Sequence, residues 1–234
     1  MKAFLVLPSY GFVISVISLS VLSFIFLDLP LQNSFYDPMD QTWWINGREP
    51  LVRIIFYHLP KLVYGLAIAF FVLKSLFLKG GAKELSCALM LIFSPVLVSI
   101  LKIATGLECP KDLIHFGGNQ IERGFFDAML QGSGRCFPGG HVSAGFGFFA
   151  LLSVVTEKKR FICFLGIAIL GHAMGFYQIA RGYHFISHNL ATMSICYGLY
   201  LLNEQFLKLY ESQLNVYFNW LKNSLFSRIG FKNI

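Results

Sequence analysis

Three histidines, a lysine and an arginine carry the chemistry of this sequence. Pro138-Gly139-Gly140-His141 precedes an apolar run that contains Ser143, Ala144, Gly145 and Gly147. Proline and glycine ahead of a helix leave backbone N–H groups free at its positive end, where an anion can be held. A histidine there can pass a proton to an anionic group or to its leaving oxygen. Further along comes Arg181-Gly182-Tyr183-His184-Phe185-Ile186-Ser187-His188. The i, i+4 spacing puts His184 and His188 on one face if the segment is helical. Arg181 stands one turn back, and its permanently charged guanidinium suits bidentate phosphate binding. Lys102 lies in an otherwise apolar stretch, where a lysine either snorkels to the headgroups or serves a bound group. The set has two functional readings: a phosphate site, or a metal held by His141, His184 and His188. The basic neighbours Lys102 and Arg181 repel a cation and favour the anion.

These residues need elements to bring them together, and the composition says which. Of 234 residues, 56% are hydrophobic and only 13% charged, with 25 Phe. A soluble domain carries about a quarter charged residues, so this chain has too little polar surface for a water-soluble globule. Apolar runs at about 4–27, 54–78, 85–106, 141–156, 161–180 and 189–206 are each read as a membrane span of roughly 20 residues. The expected fold is an all-α integral membrane protein of one domain, 1–234, with six transmembrane helices. The first run is too long for a signal peptide, and no small-x-small site precedes Asp28, so it reads as a retained anchor. The tail, 207–234, is read as an amphipathic helix on the inner leaflet or as packing beneath the bundle. Trp43 and Trp44 suit an interfacial anchor on the outer side.

The short basic turns 79–84 and 157–160 go to the cytoplasm by the positive-inside rule, and both termini go with them. The formal net charge is +7. Sorted by this topology, the whole excess falls on the inner side, against anionic lipid, and the outer side is neutral. The charge is therefore an orientation signal, and it does not point to nucleic acid. The outer side also receives the end of span three, the start of span four and the junction of spans five and six. Lys102, His141, Arg181, His184 and His188 thus converge on one membrane face.

The pattern resembles the type 2 phosphatidic acid phosphatase family, membrane phosphatases with six spans. The family's first block is Lys, six residues, then Arg-Pro; here Lys102 is followed after six residues by Cys109-Pro110. The second is Pro-Ser-Gly-His; here it reads Pro138-Gly139-Gly140-His141. The third is Ser-Arg, five residues, His, three residues, Asp; here it aligns as Tyr177-Gln178, five residues, His184, three residues, His188. The resemblance implies that His184 is the nucleophile, forming a phosphohistidine, and that His141 protonates the leaving alkoxide. It assigns the phosphoryl oxygens to Lys102 and the backbone N–H groups of Gly139 and Gly140, and it implies no metal and no cofactor. Two family arginines are missing, at Cys109 and Gln178. Arg181, one turn after Gln178, can aim at the same phosphate, and Lys111 can stand in near Cys109. Where the family has Asp the chain has His188, which as neutral imidazole can accept the N–H of His184; Asp112 is the other candidate for that role.

Cys87, Cys163 and Cys196 lie in apolar spans and read as packing residues. Cys109 and Cys136 fall at the two ends of one outer loop, and in an oxidising compartment such a pair can form a disulfide. That bond would staple the loop framing the site and take over positioning lost with the family arginine. His58, His115 and His172 receive no role. The functional expectation is a phosphoric monoester hydrolase of the bacterial inner membrane, multi-pass, its site facing the periplasm. Its partner is a lipid phosphate substrate: lipid A first, then an isoprenyl diphosphate or phosphatidylglycerol phosphate. Transfer to an alcohol instead of water is open to a phosphohistidine. The alternatives are a metal-dependent membrane hydrolase and a non-catalytic lipid-binding or transport member of the family.

Overall fold

A computed structural model describes residues 7–45, 50–77 and 80–229, with the side chains of 225–229 excepted. The start of the first span at 4, the end of the second at 78, Lys79 and the last tail residues lie outside the described residues. Seventeen apolar and hydroxyl-bearing residues form α1 (Tyr10–Phe26). Its buried positions, Val13, Val16, Ser20 and Ser23, advance by three or four, the step of one helix face. α2 (Asp28–Asn33) follows at once. A two-residue hairpin pairs β1 (Tyr36–Asp37) with β2 (Thr42–Trp43).

Next, α3 (Pro50–Arg53) passes through a π-turn, Ile54–His58, into α4 (Leu59–Phe77). Pro60 has no N–H for the Phe56 carbonyl, and the widened turn has Leu59 N–H reaching back to the Ile54 carbonyl. α5 (Ala82–Thr105) begins where Glu84 Oε2 accepts the Gly81 N–H at 2.8 Å. It ends at Gly106, whose φ of +62° is the left-handed conformation glycine adopts without strain. α6 (Phe125–Gln131) and α7 (Ser143–Phe146) precede a 3-10 segment, Gly147–Ser153. α8 (Glu157–Ile179) and α9 (Ile186–Ile229) complete the fold. The described chain is all-α apart from the hairpin.

Among the described residues, three helical runs are long and apolar enough to cross a bilayer: Pro50–Phe77, Ala82–Asp112 and Glu157–Ile179. α1 and Ser143–Ser153 are apolar but shorter. Large apolar side chains cover the outside: Ile14 is 64%, Leu66 60%, Ile103 63% and Ile169 69% exposed. Four helices thus turn grease outward, which hydrocarbon accepts and water does not. The expected span at 141–156 takes a different form, one α-helical turn followed by the 3-10 segment. It sits at the centre, with Phe146, Phe149 and Leu152 fully buried. Gly145 makes the approach possible, since a Cβ there would lie 2.8 Å from the Gly171 Cα of α8.

The tail is not a separate helix that starts at 207. α9 runs on for 44 residues, about 66 Å at 1.5 Å per residue, twice the roughly 30 Å of a hydrocarbon core. Its C-terminal half meets the turn between α4 and α5. Asn215 Oδ1 accepts the Ala82 N–H at 2.8 Å, Lys222 Nζ donates to the Gly80 carbonyl at 3.0 Å, and Glu211 pairs with Lys83 at 3.3 Å.

Candidate active site

α2 ties together the two helix ends that flank His184. Gln32 Nε2 donates to the Ile179 carbonyl at 2.8 Å, capping the end of α8. Asp28 Oδ1 accepts the Ser187 backbone N–H at 3.1 Å, and the Ser187 hydroxyl donates to Asp28 Oδ2. A carboxylate at the first turn of α9 satisfies orphan N–H groups and matches the positive helix end. Ser23 adds a hydrogen bond to Asp28 at 3.1 Å, and Ser20 donates to the Ser187 carbonyl at 2.8 Å. α1 and α2 therefore fix where α9 begins, and with it His184 and His188. Burial pushes the Asp28 carboxyl above its ordinary range despite the hydrogen bonds from Ser187 and Ser23. Sequence reasoning missed Asp28 and Gln32 as site supports; a lone carboxylate closing an apolar run was the available signal.

The connection 180–185 is clamped from the other side as well. The Lys111 N–H donates to the Gly182 carbonyl at 2.8 Å. Gly182 has φ +72°, and the Trp43 ring occupies the space a Cβ would need. Trp43 thus packs into the wall of the site, while Trp44 is 66% exposed. Cys109 and Cys136 are joined in a disulfide. The bond brings Cys136 against His184, whose Nδ1 lies 3.4 Å from the Cys136 sulfur.

The group that meets His184 Nδ1 is therefore the bridged sulfur of Cys136. His188, expected to accept the His184 N–H, stands beside it with ring centroids 5.6 Å apart and its own Nδ1 without a partner. Asp112, the other candidate, is paired with Lys111 at 2.5 Å. Lys111 in turn spends its charge on that carboxylate and on the Tyr183 ring, 5.3 Å away; it is not a free stand-in for the family arginine. With Nδ1 turned to Cys136, His184 keeps Nε2 without a partner, and the residue is 2% exposed. Burial first, then the charges of His188, His141 and Lys102, holds His184 well below the ordinary histidine range. A neutral imidazole with its Nε2 lone pair free is the form a nucleophile requires.

His141 faces His184 at 6.0 Å between ring centroids. Gly140 makes room for Lys102, because a Cβ on Gly140 would lie 3.0 Å from Lys102 Nζ. The expectation for Gly139 needs amendment: its N–H donates to the His188 carbonyl at 3.2 Å and does not point at a ligand. Space explains the family serine's absence, since a side chain on Gly139 would press on Val142 and Thr192. Arg181 is held between two aromatic faces, with its Cζ 4.9 Å from the Tyr177 centroid and 4.7 Å from that of Tyr183. Gln178 is buried with its Oε1 unpartnered.

Seven buried side-chain polar atoms lack a hydrogen-bond partner among the described residues, and six belong to His141, Gln178, Arg181, His184, His188 and Asn189. Buried polar groups in folded proteins are ordinarily paired, so this concentration marks a place built for a polar ligand. The charges around it say which kind. None of Arg53, Lys61, Lys102 and Arg181 has a carboxylate within 4.0 Å among the described residues. A metal finds a poorer set. Cys136, His184 and His188 offer atoms within 4.8 Å of one another, but a disulfide sulfur carries no thiolate, and ligation requires one.

His58 and His115 stay outside this constellation. His58 packs on Tyr57 at 4.9 Å, and His115 shares a 2.8 Å hydrogen bond with Asn33. His172, though its ring meets Phe146 at 5.1 Å, lies on the exposed outer face of α8.

Neither the curated proteins nor the solved structures contain a match to this chain. The profile of the PAP2 superfamily does match, over residues 83–208. That stretch holds Lys102, His141, Arg181, His184 and His188, and leaves out everything before α5. With more than half of its length matched, the chain belongs to the PAP2 superfamily, whose members are generally phosphatases.

Proposed function

We propose that this protein removes phosphate from a membrane lipid through a phosphohistidine formed on His184. The observation that carries the reading is the unpartnered, buried Nε2 of His184 beside His141 and among cations with no carboxylate of their own. Nε2 attacks phosphorus, and the bond to the lipid oxygen breaks. His141 gives its proton to that oxygen, so the alcohol leaves neutral. Lys102 and Arg181 hold the phosphoryl oxygens, whose charge is greatest where the transfer occurs. A phosphate bound among these cations favours the protonated His141 that a general acid must be. Water, activated by the now neutral His141, then attacks phosphorus and frees His184; an alcohol in place of water would make the reaction a transfer. None of these steps calls for a metal.

A lipid substrate is supported by an apolar groove of about 520 Å³ between α1, α6 and α9, lined by Val21, Phe24, Phe126, Phe137 and Ile195 among others. Phe137 lines the groove and packs on the His188 ring at 5.2 Å. A tail can therefore lie in the groove while its headgroup reaches His184. Six crossings with both termini in the cytoplasm fit the placement of charge. Lys158, Lys159 and Arg160 start α8, a full helix away from Arg181, and the 80–84 turn is a full helix away from Lys102. The site then faces the periplasm of a bacterial inner membrane. Lipid A is the substrate proposed first, ahead of an isoprenyl diphosphate or phosphatidylglycerol phosphate.

The test is phosphate release from a panel of purified lipids by the wild type and His184→Ala in detergent, with and without a chelator and vanadate. The expected result is release by the wild type alone, indifferent to chelator and blocked by vanadate. Equal rates from both proteins would remove the mechanism.

A further inference from the structure

The π-turn before α4 presents chemistry of its own. Arg53, Tyr57 and Lys61 follow one another at four-residue steps across it. Lys61 Nζ sits 3.8 Å from the centroid of the Tyr57 ring, and Arg53 Cζ lies 5.7 Å from the same ring. Tyr57 in turn packs on His141 at 4.8 Å, and its neighbour Phe56 stacks on Tyr177 at 5.5 Å, the ring that carries Arg181. A π-turn inside a helix commonly re-aims side chains at a functional site; here it turns a cation–aromatic–cation stripe toward His141. No carboxylate offsets it among the described residues.

Two like charges converging on one histidine repel each other unless an anion sits between them. Pinning an ammonium on a ring face holds it in place at little cost and leaves its N–H donors free. We infer that Lys61, aimed by Tyr57, is a third phosphate-binding cation of this site, contributed by a helix outside the matched segment. Together with Arg181 it supplies the two positive charges that the motif positions Cys109 and Gln178 lack. The inference rests on the phosphate reading of the site, but its test does not depend on turnover.

Inorganic phosphate is titrated against the full-length protein in detergent by thermal shift, in the His184→Ala background where no phosphoenzyme forms. His184→Ala is expected to bind phosphate. Adding Lys61→Gln is expected to weaken that binding about tenfold or more, with Lys61→Arg within about threefold of the parent. Lys61 is exposed on its helix, so the substitution does not threaten folding, and the melting temperature without phosphate is expected to stay unchanged. Equal affinity with and without Lys61, or no phosphate binding by His184→Ala at all, would overturn the inference. Phosphate release by wild type and His184→Ala, measured separately, tells that failure apart from failure of the phosphohistidine mechanism.

Discussion

Replacing both Cys109 and Cys136 by serine tests two links of the reasoning in one protein. The bridge spans 27 residues of sequence. Closing a loop of that length in the unfolded chain corresponds to about 3.5 kcal/mol at 25 °C on the chain-entropy account. For a chain of this size, 1 kcal/mol moves the melting temperature by roughly 2–4 °C, so the double variant should melt about 7–14 °C lower. The second link is chemical. Cys136 Sγ lies 3.4 Å from His184 Nδ1, and the bridge ties the loop that carries it to Cys109. Freed of that tie, the His184 ring loses its fixed tautomer and aim, and kcat should fall about tenfold or more while KM changes little. Differential scanning fluorimetry and phosphate release on the double variant read the two effects separately, and intact mass of the wild type reports whether the thiols are bonded. A melting temperature within about 2 °C of wild type would refute the stability reasoning. An unchanged kcat would refute the role given to Cys136.

Other perturbations have equally definite outcomes. Asp28→Ala strips the start of α9 of its cap and leaves Ser187 unpaired, at a cost of about 1–3 kcal/mol. Asp28→Asn, which keeps one acceptor, should lose less, and thermal melts of both decide. Gly140→Ala places a methyl carbon 3.0 Å from Lys102 Nζ and should raise KM for a lipid phosphate about tenfold with little change in melting temperature. Arg181→Lys keeps the charge but gives up the flat guanidinium between Tyr177 and Tyr183, so a several-fold rise in KM is expected, and a larger one for Arg181→Ala. The pH dependence has a fixed sign. Burial, then the neighbouring charges, holds folded His184 well below its ordinary value, while the unfolded chain takes up the proton near about 6.5. Its contribution to stability is thus complete above that pH and is lost as pH falls below it. Activity limited by protonation of His184 should persist below about pH 6.5, and a loss centred there would contradict the burial argument.

The membrane character and the cluster of His141, Arg181, His184 and His188 were legible in residue types and spacing, because apolar runs and i, i+4 steps are local properties. What could not be read was which atom each histidine faces. His188 occupies the family's aspartate position by alignment, yet the group that meets His184 is a sulfur 48 residues upstream, brought there by a disulfide. Gly139 looked like a free N–H donor, but α9 presents the His188 carbonyl to it. The 141–156 segment was apolar enough to be a span; its glycines let it approach α8 more closely than a regular helix would, and it runs as a 3-10 segment. The tail's aromatics suggested a separate surface helix. No glycine or proline interrupts residues 199–229, and α9 simply continues.

Lys61 shows why a motif with missing arginines need not be a dead site. What a phosphoryl group requires is positive charge at hydrogen-bonding reach, fixed before the reaction, and nothing requires that charge to come from particular sequence positions. In this chain Cys109 has become half of the bridge that holds Cys136 against the nucleophile, and Gln178 is a buried amide. The lost guanidinium at Gln178 reappears one turn later on Arg181, held between Tyr177 and Tyr183. The charge lost at Cys109 reappears on a different helix, where Tyr57 turns Lys61 toward His141. Each cation is seated on an aromatic face and not on a carboxylate, which keeps its full charge available to a ligand. A chain drifting away from catalysis would have no reason to keep two such seats and to leave both cations without a carboxylate around a buried nucleophile whose Nε2 is unpaired.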